Sequence, residues 1–446
     1  MITTPRRRAL TLALVVSFLA SSSAAQTADP TLVTEINRIR AVDNHAHVPK
    51  VVGENEKADD EFDALPCPPE PDAATFARAR ADNPEYVAAW RALYGYNYMD
   101  MSEAHVRELV ERKRRVMREQ GDNYPAWVLD KLGIDVTLAN RVAMGRGLNN
   151  ARFRWVSYDD ALLFPLENAG LRRANPNRDF FFGREESLLH RYMNESNVAR
   201  LPATLSEYLA QVVIPTLERQ RRGGAVAIKF EAAYLRALDF DEASLVAAMG
   251  VYARFVRGGE PSSAEYKTLQ DYLFRVVARE AGRLGLAVHI HTGAGCGNYF
   301  YVRGSNPLLL ESAFNDPSLR KTNFVMLHGG SPFNREVAFL VAKPNVYADF
   351  SAETFLFSPR ELGEVLRFWL ALYPEKILFG TDTFPGTPEI DWEEVGYQTT
   401  TTARQALALA LTGMMRDGEI TRARAAEIAR AVMRENASKL YGLGGR

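Results

Sequence analysis

Cysteine is nearly missing from this chain: Cys67 and Cys296 are the only two in 446 residues. That excludes a disulfide framework and a cysteine-held zinc site. Net charge is nearly missing too, at −1. The first 25 residues hold Arg6, Arg7 and Arg8 and no acid, so the body is mildly acidic. An acidic body argues against nucleic acid or an anionic membrane as the main partner. The longest apolar stretch, Ala9 to Ala20, is too short for a comfortable span. No repeat recurs at a fixed period. The glycine-rich "GAGCGNYF" (293–300) departs from a dinucleotide fingerprint and more simply lets backbone approach a ligand.

What is present begins with a leader. "PRRRALTLALVVSFLASSSAAQ" runs from arginines through an apolar stretch to Ser23-Ala24-Ala25, the layout of a cleaved secretory signal over residues 1–25. Its arginine run also fits twin-arginine export. The expected location is therefore periplasmic or secreted, with no membrane attachment after cleavage. There the two cysteines have the conditions to form one bridge.

From residue 26 to 446 one domain is expected, in which short β-type runs alternate with amphipathic helices. The runs are "AVDNHAH" (41–47), "IDVTLAN" (134–140), "RFRWVSYD" (152–159), "GAVAIKFE" (224–231), "LAVHIHT" (286–292), "NFVMLHG" (323–329), "NVYADFS" (345–351) and "KILFGTD" (376–382). Alternation of this kind means a parallel sheet with crossovers, α/β in class. Eight units favour a closed (β/α)8 TIM barrel over an open sheet. Long helical insertions follow strands 1 and 3, at about 50–130 and about 162–218. Trp90, Tyr94, Tyr96 and Tyr98 in the first suit either a pocket wall or the insert's own core. The charged run Glu111 to Arg115 reads as a solvated helix face. A helical tail, "ARAAEIARAVMRENASKLYGLGG", closes the chain.

The seven histidines carry the chemistry. Chance would give about 0.1 H-x-H pair; the chain has two, His45/His47 and His289/His291. Both lie at strand ends, as do His328, Lys229 with Glu231, and Asp382. In a barrel those ends meet at one mouth, where active sites form. Imidazoles with a carboxylate suit Zn²⁺, with Mn²⁺ or Fe²⁺ as the nearest substitutes. Asp43 is expected to orient a ligand histidine or to cap loop backbone. His105 and His190 fall within the inserts and read as surface or structural groups. Arg141 and Asn140 after strand 2, and Tyr158 and Asp159 at the end of strand 3, are candidates for substrate contact; an Arg141 fork facing the mouth would suit a carboxylate.

Strand one with H-x-H, a lysine on strand four, histidines on strands five and six and an aspartate after strand eight resemble the amidohydrolase superfamily. "HTG" (291–293), "LHGGSPFNREVAFLVAKPNVYADFS" and "ENASKLYGL" resemble its amidohydrolase-related branch, also called family 2, over about residues 42–443. The resemblance implies metal ligands at His45, His47, Lys229, His291, His328 and Asp382, with Lys229 carbamylated where two metals are bound. It implies a metal-dependent hydrolase of a small-molecule amide, ester, lactone or related carbonyl bond, with Asp382 as general base and acid and His328 as a ligand or catalytic base. A non-oxidative decarboxylase of a small carboxylic acid is the alternative, and an isomerase of sugar acids a third. Tyr158, Arg141, Glu231 and His289 are the substrate-side candidates, with His289 equally placed to support a ligand. The expected partner is a small molecule, and homo-oligomers are compatible with the sequence. A Cys67–Cys296 bridge pinning the first insert over the pocket completes the expectations.

Overall fold

The computed structural model describes residues 27–53, 55–68 and 75–443. The leader expected over residues 1–25 lies outside them. Eight parallel strands follow one another in sheet order: β1 (Ala41–Ala46), β2 (Ile134–Asn140), β3 (Phe153–Tyr158), β4 (Ala225–Phe230), β5 (Ala287–His291), β6 (Phe324–Leu327), β7 (Val346–Asp349) and β8 (Ile377–Leu378). Every expected run holds a strand. β8 is the shortest, because beyond Leu378 the chain leaves regular pairing and bonds β1 singly: Asn44 N–H to Phe379 O at 2.8 Å, Asp382 N–H to His45 O at 2.8 Å, and His47 N–H to Thr383 O at 2.7 Å. Those bonds bring the last strand against the first. The architecture is the expected (β/α)8 barrel.

Alternation along each strand sorts the interior into layers. Val42, Leu138, Val156, Ala227, Ala287, Val325, Leu327 and Leu378 form one apolar cluster at the floor. Two residues on, toward the C-terminal ends, the same faces carry Asn140, Tyr158, Lys229 and His289; two further come Glu231 and His291. The floor is sealed by the tail, whose helix Asn436–Tyr441 packs Ala437, Leu440 and Tyr441 against that cluster.

Outside the barrel, the helices start where capping chemistry places them. Ser262 and Glu265 form a capping box for Ser263–Leu284, and Asp391 and Glu394 for Trp392–Arg416. Helices fill both expected insertions. Trp90 and Tyr98 each pack edge-on against Tyr96, and Tyr94 lies tilted against Trp127, as the first insert's own core. The solvated face expected for residues 111–115 needs one correction. Lys113 is buried, with its Nζ 2.7 Å from Glu394 and 3.8 Å from Glu393. That ion pair ties the insert to the helix after β8, and burial with two carboxylates is what holds a lysine inside. Among the described residues no helix is long and apolar enough to cross a membrane.

Candidate metal centre at the mouth of the barrel

Asp382 is the hub. Its Oδ1 lies 3.0 Å from His45 Nε2 and 3.4 Å from His47 Nε2, and its Oδ2 lies 3.6 Å from His328 Nδ1. The imidazoles of His45, in β1, and His47, just past its end, thus face one carboxylate from the loop after β8, at the far end of the chain, as i and i+2 on one face require. His328 and Asp382 have left-handed backbones, with φ of 66° and 54°. Such a turn costs a non-glycine residue roughly 1–2 kcal/mol, and here it swings both side chains inward. Fixed partners hold the turns: Asp349 Oδ1 accepts from His328 N at 2.9 Å, and His45 O accepts from Asp382 N.

Burial decides the charge states. It pushes His45 and His328 well below the ordinary histidine range, and His289 and His291 down to about 3; Lys229 adds to each. Burial works to raise Asp382, but His328, His47 and Lys229 outweigh it and hold the carboxylate below its ordinary range. For His47, burial opposes the proton while Asp63 and Asp382 favour it more strongly, so its value rises. The neutral imidazoles of His45, His291 and His328 beside an ionised carboxylate bring lone pairs together at one place.

That donor set fits a divalent cation. One donor atom each from His45, His328 and Asp382 lies within 4.8 Å of the others. Donors around a tetrahedral ion sit about 3.3 Å apart, close to the 3.0 Å between His45 Nε2 and Asp382 Oδ1. A second group of the same compactness joins His47, Asp63 and Glu231.

The remaining expected site residues divide into those the fold brings here and those it does not. Lys229 stands with its Nζ 3.4 Å from His45 Nε2 and 3.7 Å from Glu231 Oε1. Tyr158 places its hydroxyl 3.0 Å from His47 Nδ1. The His291 ring is 4.6 Å from that of His328, with its Nε2 on the Ala294 carbonyl at 3.0 Å. Two substrate-side expectations are corrected. Arg141 is fully buried and spends its fork on Asp59, at 2.8 and 3.0 Å, and on the Val48 and Ala143 carbonyls. His289 lies deeper in the barrel, with Nε2 2.7 Å from the Tyr441 hydroxyl.

Asp43 takes the backbone-capping role. Its Oδ1 accepts from Thr381 N at 2.8 Å and its Oδ2 from Thr381 and Thr137 hydroxyls, so it clamps the loop that presents Asp382 to β1 and β2. Burial raises it to about 7. His105 pairs with Asp100 within the first insert.

Several partners were not marked by the sequence. Ser351 Oγ meets His328 Nδ1 at 2.8 Å and donates to Asp349 at 2.8 Å. Asp349 also takes Asn44 Nδ2 at 2.6 Å, and Asn44 receives the Tyr441 hydroxyl. A buried polar chain therefore runs from His328 to His289 at the floor. "NVYADFS" carried Asp349 and Ser351 in plain view, at the end of an expected strand. Asp63 had no such signal, because it lies in an aperiodic part of the first insert. Cys67 and Cys296 are bridged, as expected.

The amidohydrolase family profile matches residues 42–443. Among solved structures, a protein of Lactobacillus casei described as a metal-dependent hydrolase aligns with a TM-score of 0.60 at 16% identity, over 92% of this chain and 97% of its own. Glucuronate isomerase from Caulobacter crescentus aligns with a TM-score of 0.62 at 13% identity, over 93% and 94%. Uronate isomerase from Thermotoga maritima aligns with a TM-score of 0.57 at 14% identity, over 81% and 79%. At such identities the likeness is one of fold. No curated protein matches the sequence.

Proposed function

The chain belongs to the amidohydrolase family, and from that premise we propose that it is a metal-dependent hydrolase of a small-molecule amide, ester, lactone or related carbonyl bond. The observation that carries the reading is the convergence of His45, His47 and His328 on the ionised carboxylate of Asp382. His45, His47, His291, His328 and Asp382 would hold the ion, with Lys229 beside them. Bound there, Zn²⁺, or Mn²⁺ or Fe²⁺ in its place, supplies acidity to water and polarises the scissile carbonyl.

The chain's own groups do the rest. Asp382 accepts the proton of the attacking water and returns it to the leaving nitrogen or oxygen. A carboxylate held this low is a weak base, so it acts only on water made acidic. Ser351 and Asp349 keep the His328 ring in place through Nδ1. Glu231, beside Lys229, and Tyr158, against His47, would serve the substrate side of the site. Lys229 has its Nζ among the imidazoles, and carbamylation would convert it from a cation beside the ligands into an anionic ligand; an intact mass heavier by one CO₂ tests this. Export to an oxidising compartment, through the leader of residues 1–25, agrees with the Cys67–Cys296 bridge.

The test is turnover of a panel of esters, amides and lactones by metal-loaded and chelated protein, with Asp382→Asn alongside. Asparagine tolerates a left-handed backbone, so the variant should fold and lose about 10²–10⁴-fold in kcat. An unaltered rate would remove Asp382 from the chemistry. Carbon dioxide release from a carboxylated substrate would move the reading to the decarboxylase.

A further inference from the structure

The first insert reaches the site by one short strap, residues 59–67, and the strap is fastened at four points. Arg141 grips Asp59. Arg191 donates to Glu61 at 2.6 Å. Arg184 donates to the carbonyls of Ala64 at 2.7 Å, Asp63 at 3.2 Å and Asp60 at 3.3 Å. Cys67 is bonded to Cys296, in the loop after β5. Between these points Asp63 turns inward. Its Oδ1 accepts from Leu65 N at 3.0 Å, which leaves Oδ2 facing His47 Nδ1 at 3.3 Å.

Three oxygens crowd that nitrogen: Asp63 Oδ2, the Tyr158 hydroxyl at 3.0 Å and the Phe62 carbonyl at 3.4 Å. Two of them, the carboxylate and the carbonyl, only accept. In the neutral ring, the form that can bind a metal, Nδ1 must then carry the proton, which leaves the lone pair on Nε2, the atom that faces Asp382 at 3.4 Å. The hydroxyl of Tyr158 can donate or accept, so it does not fix the tautomer alone. Both Asp63 and Phe62 ride on the strap.

We propose that Asp63 is a positioning residue for metal binding: it holds His47 in the tautomer that offers Nε2, and the Cys67–Cys296 bridge keeps it there. The insert therefore finishes the metal site rather than merely covering it. This rests on the reading of His47 as a ligand.

The test is Zn²⁺ affinity of the full chain by chelator competition. Asparagine at position 63 can turn an N–H toward Nδ1 and reverse the tautomer, so Asp63→Asn should weaken Zn²⁺ by about 10–100-fold. Asp63→Glu, which keeps an acceptor, should recover part of the loss. Cys67→Ser should weaken binding too, and the double variant should be no weaker than Asp63→Asn alone, because both act through one contact. Asp63→Asn binding within about twofold of wild type, Cys67→Ser binding as tightly as wild type, or losses that multiply would overturn the proposal. A wild type that binds no Zn²⁺ would contradict the metal reading itself.

Discussion

Replacing Arg141 with methionine removes a guanidinium committed wholly to the protein. Its donors reach Asp59 at 2.8 and 3.0 Å, the Val48 carbonyl at 2.7 Å and the Ala143 carbonyl at 2.8 Å. In the variant, the Asp59 carboxylate keeps only the backbone N–H of Lys50, at 2.8 Å, and of Glu61, at 3.2 Å. Breaking a buried pair from one side costs about 3–5 kcal/mol. That is a large share of the roughly 5–15 kcal/mol that holds a folded protein. Urea unfolding followed by far-ultraviolet circular dichroism measures it, on Arg141→Met, Asp59→Leu and the double variant. The double variant carries neither charge, so it should be more stable than the summed single losses by about 2 kcal/mol. An Arg141 that instead served a substrate carboxylate would leave the urea midpoint alone and raise KM. An unchanged midpoint with a coupling energy near zero would refute the structural assignment.

Two further predictions concern buried polar groups. Asp159 accepts from Gln220 at 2.9 Å and Ser157 at 3.1 Å, and burial lifts it from 3.8 to about 7. The folded state then holds a proton the unfolded state has released, so stability is full below pH 4 and falls as pH rises through 7. The gap corresponds to about 4 kcal/mol; Asp159→Asn should erase that slope in unfolding measured from pH 4 to 8, and an unaltered slope would contradict it. Tyr441→Phe strips the floor of the bonds to His289 and Asn44 and should cost about 1–3 kcal/mol in the same assay; no loss would deny the polar chain a structural part.

The strands and their order were legible because each is a short β-type run between turn signals, and because strand ends in a barrel share one mouth. Five elements supplied recognisable groups at those ends, so the hub of Asp382 with His45, His47 and His328 could be anticipated. Arg141 sat at a strand end too, yet its geometry depends on Asp59, 82 residues earlier in an insert. His289 follows the same alternation as His291, but only the packing of the tail helix shows that it meets Tyr441 below. Lys113 reads as one charge in a charged run; Glu393 and Glu394, which bury it, lie about 280 residues on. Asp63 is carried by a strap whose path is set by three arginines and a disulfide, none of which leaves a local pattern.

Running the hydrolysed compound in oxygen-18 water tests the central claim most directly. Hydrolysis puts one labelled oxygen in the product per turnover, and this is lost together with activity when the metal is removed. Unlabelled product, formed with release of carbon dioxide or as an isomer of the substrate, would contradict it.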